Sequence, residues 1–145
     1  MSSSYESADL LLKLYDLRRE PTMRQARAWF VGFNPDSLDD MVKAMSGEHN
    51  AYFRMVTSFW DMAASLVNNG AIDEKMFNDA NGEHVVVFAK VEPFVAEFRS
   101  RIQLPGWLQQ LEQLVLRQPE MKSRLAATRE RFRLIAATRA GVART

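Results

Sequence analysis

The sequence predicts an all-α protein, an irregular bundle of seven to eight helices. Three observations carry this. Apolar residues recur every three to four positions along most of the chain, the repeat of a helix face. The breaks between these stripes hold helix punctuation: Ser, Asp or Pro at starts, and Gly, Asn-Gly or Asn-Pro at stops. With 6 Gly and 5 Pro in 145 residues, the chain is too poor in turn residues for an all-β fold.

Ser3-x-x-Glu6 has the pattern of a capping box and opens the first helix. Leu10, Leu14 and Leu17 fall on one face of it, and Pro21 ends the run while suiting the first position of the next helix. Met23, Ala26, Phe30 and Phe33 form the second stripe, closed by Asn34-Pro35. Ser37 caps a third helix, with Asp39 and Asp40 near its positive end and Gly47 at its close. The fourth helix, about 48–68, is apolar on most sides, which places it at the centre. Its polar residues, Arg54, Ser58, Asp61, Ser65 and Asn68, share one stripe. Asn69-Gly70 supplies a left-handed stop.

Asp73 caps a short fifth helix. Gly82 precedes a sixth, whose stripe is Val87, Val91, Phe94, Val95, Phe98 and Ile102, with a kink expected at Pro93. Val85 to Phe88 has strand propensity, but no second strand exists to pair with it. Pro105 is expected to open a seventh helix bearing Trp107 and Leu108, and Pro119 an eighth. Met121, Leu125, Thr128, Phe132 and Ile135 give that last helix the four-three spacing of a coiled-coil seam. Gly141 is expected to end it, with Val142 to Thr145 frayed.

The length suits one domain over 1–145, divided into a body, 1–118, and a basic helix, 119–140. Absence of cysteine excludes disulfides, cysteine-based zinc sites and thiol nucleophiles. No basic-then-apolar start or long apolar run is present, so a cytoplasmic protein is expected. The net charge of +1 hides an asymmetry: residues 1–116 carry −5 and residues 117–145 carry +6. Such a tail meets an anionic partner or docks on an acidic body.

One echo runs within the chain. Gly47-Glu48-His49-x-x-x-Phe53-x-x-Val56-x-x-Phe59 matches Gly82-Glu83-His84-x-x-x-Phe88-x-x-Val91-x-x-Phe94. Helical periodicity and a helix-start glycine followed by an acidic residue account for most of it.

Residues 10–119 resemble a bacterial helical family catalogued as a domain of unknown function. The likeness lies in a leucine-rich first helix running into Leu17-Arg18-Arg19, in Arg24-Gln25-Ala26-Arg27-Ala28-Trp29-Phe30, in the long apolar helix and the Asn69-Gly70-x-x-Asp73-Glu74 turn, and in Gly82 and Trp107 at later starts. The resemblance implies a helical fold and brings no catalytic residues. The membrane anchor of some similar proteins is not matched here.

Candidate chemistry is sparse. Glu48, His49, Glu83 and His84 offer metal-binding groups, but neighbouring residues diverge on a helix and no Glu-x-x-His or His-x-x-x-His spacing occurs. Helix-start groups are the preferred reading. Arg54 and Asp61 could line a polar cavity, with pairing to charges on neighbouring helices the commoner role. Arg18, Arg19, Arg24 and Arg27 beside Trp29 read as a solvated face laced by i,i+4 pairs. No phosphate loop or nucleophile motif is present, so no enzyme and no cofactor are expected.

The last helix is the main interaction candidate. Lys122, Arg124, Arg129, Arg131, Arg133 and Arg139 surround Met121, Leu125, Phe132 and Ile135. Packing within the chain and pairing with a second copy, giving a homodimer, compete equally for that seam. Nucleic acid or an anionic membrane is the alternative partner. The function expected is a self-associating, non-enzymatic interaction or regulatory module.

Overall fold

The computed structural model describes residues 2–144, with side chains described to residue 142. The helices are α1 (Ser4–Arg18), α2 (Pro21–Val31), α3 (Leu38–Ser46), α4 (Asn50–Asn68), α5 (Glu74–Ala80), α6 (Glu83–Val91), α7 (Val95–Ile102), α8 (Gln109–Leu116) and α9 (Met121–Arg144), with a 3₁₀ turn at Glu92–Phe94. No strand occurs among the described residues, and Val85 to Phe88 are helical. The chain is all-α, as its punctuation predicts.

Local chemistry sets the ends. Ser3 and Glu6 form the reciprocal capping box, and Ser37 and Asp73 accept from Asp40 and Met76 backbone N–H groups. Glu20 caps α2 through the Met23 N–H at 2.8 Å. Gly70, at φ 82°, ends α4 in a Schellman motif: its own N–H donates to Val67 and that of Ala71 to Leu66. At Gly47 the need for glycine is proximity, since a Cβ there would meet the Lys43 carbonyl oxygen at 2.7 Å.

The core draws on every helix, from Leu14 through Met41, Phe77 and Phe98 to Leu125. α4 packs chiefly against α8 and α2, so it is the central element. It buries Phe53, Val56, Thr57, Trp60, Ala63, Ala64 and Val67.

Four expectations change. Pro93 splits the sixth helix instead of only bending it, because proline lacks the N–H that would continue the ladder. The helix expected from Pro105 begins at Gln109. Gln103 and Leu108 both have positive φ, so the chain turns twice, with Trp107 inside the turn. Gly141 does not stop α9, which continues to Arg144; of the fraying expected over 142–145, Thr145 lies outside the described residues. Leu17 is 56% exposed, because Arg18 takes the inward position and stacks over Trp60 at 5.1 Å.

Candidate interaction surface

α9 is docked for half its length. Met121 and Leu125 are buried, and Phe132 and Ile135 half-buried, so the first half of the seam packs within the chain, mainly on α6. Two of the basic residues fasten it. Arg129 donates to the Ala89 carbonyl at 2.9 Å and pairs with Glu92 at 3.3 Å. Arg133 donates to the Pro35 carbonyl and pairs with Asp36 at 2.9 Å. Arg124 faces Glu120 one turn back, Arg131 lies over Phe132, and Lys122 is exposed.

Beyond Ala136 the helix leaves the body. Residues 137–142 are all exposed, and Leu134 is 60% exposed. Glu130, Arg131, Leu134, Ile135, Thr138 and Arg139 line one outward face.

Beneath the docked half lies Lys90, 2% exposed. Its Nζ donates to the Phe30 and Val31 carbonyls, each at 2.8 Å, and sits 4.9 Å from the Phe132 ring centre. These carbonyls are the negative end of α2, so the ammonium acts as a helix plug. Burial pushes its pKa down to about 8.

An open groove of about 650 Å³ lies between the end of α2, α3 and the α3–α4 turn. Its wall is a run of rings: Phe33 on Trp29 at 5.0 Å, Trp29 on His49 at 5.4 Å, and His49 near Tyr52 at 6.0 Å. Asp40, Lys43 and Glu48 also line it, and Lys43 is paired with Asp39 at 3.1 Å. The volume is that of a small-molecule or side-chain site.

The structure does not gather the two Gly-Glu-His triplets. Glu48 is 87% exposed, 3.8 Å from the His49 Nδ1 at the groove. Glu83 accepts from Arg27 Nε at 3.0 Å and from Trp60 Nε1 at 2.9 Å. His84 is 2% exposed against Phe77, and its Nε2 meets Asn78 Oδ1 at 3.2 Å. That acceptor requires the proton on Nε2, which leaves Nδ1 an unfilled buried acceptor. Burial pushes the His84 pKa down to about 4. Among the described residues no three His, Cys, Asp or Glu side chains converge as a metal site.

The arginine cluster is not a solvated face. Arg27 of α2 reaches Glu83 of α6, Arg18 at the end of α1 covers Trp60 of α4, and both arginines are half-buried. Arg19 and Arg24 remain exposed. Asp61 pairs with no cation among the described residues: it accepts from the Leu111 N–H at 3.0 Å and caps α8, whose own cap residue, Leu108, has no side-chain acceptor. Arg54 donates to Asn50 Oδ1 and, with Asp61, borders a groove of about 400 Å³. Lys90 and the Trp60–Glu83 bond were not anticipated. A lone lysine in the apolar run Val85 to Val91 was the available signal.

No helix among the described residues is long and apolar enough to cross a membrane. No curated protein and no solved structure matches the chain. A match does exist at family level, and it stops two residues before α9 and its fastened arginines begin: over residues 4–118 the chain belongs to the family described as Domain of unknown function (DUF4760).

Proposed function

We propose that the chain is a cytoplasmic, non-enzymatic interaction module, one folded unit over 1–145, that self-associates through the distal part of α9. The observation that carries this reading is Leu134, 60% exposed on the outward side of α9, just before the wholly exposed residues 137–142. An apolar side chain on a projecting helix face is a natural contact for another chain. Nucleic acid or an anionic membrane loses ground as a partner, because Arg124, Arg129 and Arg133 are paired with carboxylates.

Removing the whole helix would strip Met121 and Leu125 from the core, so a point substitution is the better test. Light scattering should give a dimer for the natural sequence and a monomer for Leu134→Asp, with unchanged helical circular dichroism. A natural chain that stays monomeric at high concentration sinks the reading. Duplex DNA binding that weakens steeply with salt would replace it.

A further inference from the structure

Resting on that reading, we propose that the surface receiving α9 is the aromatic groove of a second copy, with Arg139 seated between the Trp29–His49 wall and Glu48. Three observations meet here. Arg139 lies on the projecting end of α9 and has no carboxylate partner among the described residues. The groove offers the complement: the edges of the Phe33–Trp29–His49 stack, and Glu48, which has no lysine or arginine partner among the described residues. Of the cations in residues 117–145, Arg117, Arg129 and Arg133 already meet carboxylates of the body, which leaves Arg139, among the described side chains, as the cation that the projecting end carries outward.

Position supports the pairing. Arg133 is anchored at Pro35, and Pro35 is also an edge of the groove. Arg139 lies six residues further on, about 9 Å along the helix. Donor helix and receiving groove therefore sit at one end of the molecule. A two-fold contact needs that placement, since each copy must give an arginine and take one.

Charge exchange tests it. Glu48 and Arg139 are both exposed, so replacing either leaves the core intact. Analytical ultracentrifugation should show Glu48→Arg and Arg139→Glu each weakening the dimer by about tenfold, the scale of an interfacial charge pair. The double variant, with the charges exchanged, should recover most of that loss. Losses that simply add in the double variant overturn the proposal. A dimer broken by Leu134→Asp but indifferent to Glu48→Arg overturns this inference alone and leaves self-association through α9 standing. A monomeric natural chain overturns both.

Discussion

Gly47-Glu48-His49 and Gly82-Glu83-His84 are the same three residues put to opposite uses. The first triplet stands before its helix: α4 begins at Asn50, and Glu48 and His49 border an open groove. The second enters its helix: α6 begins at Glu83, which places Glu83 between Arg27 of α2 and Trp60 of α4, and His84 against Phe77 of α5. The apolar followers behave alike, with Phe53 and Phe88, and Val56 and Val91, all buried. Helical period therefore decides the fate of the followers, while the helix start decides the fate of the triplet.

The sharpest way to break this comparison is to remove the two carboxylates separately. Glu83→Ala leaves Arg27 and the Trp60 indole N–H without their acceptor and should cost about 3 kcal/mol in urea unfolding. Glu48→Ala should stay within about 0.5 kcal/mol. Equal costs would show the triplets to be equivalent.

His84 gives the fold a pH dependence. The His84 pKa of about 4 lies below the ordinary value of 6.5. Between those values the unfolded chain binds the proton and the folded chain does not. Folded stability is therefore complete above about 6.5 and falls as the pH drops towards 4, by about 3 kcal/mol. Unfolding curves across that window should lose this slope in His84→Leu and keep it in His49→Leu. A slope retained without His84 would assign it elsewhere. The smallest effect belongs to the groove: His49→Ala removes one ring from an exposed stack and should cost about 0.5 kcal/mol by urea titration. A loss of several kcal/mol would mean that the wall holds the fold as well as shaping a surface.

Much of this was legible because helix signals are local. Ser3, Ser37, Asp73, Pro21 and Gly70 each act within one turn of themselves, and each does as its type predicts. What was not legible depends on partners distant in sequence. Leu108 takes a positive φ and leaves its helix uncapped, because Asp61, about fifty residues earlier, supplies the cap. Arg27 resembles a surface arginine until α6 brings Glu83 to it. For α9 the periodic seam marks which residues are apolar, but only the tertiary structure divides it, with Leu125 buried and Ile135 half-buried, and it leaves Leu134, off the seam, exposed.

Lys90 gives α9 one more consequence. Lys13, Lys43, Lys75 and Lys122 hold their amines in solvent. Lys90 keeps its amine under Phe132, beside a void of only about 20 Å³. To an acylating reagent the docked helix is a protecting group. An acyl group on that amine would have no room beneath Phe132, so acylation of Lys90 and docking of α9 exclude each other.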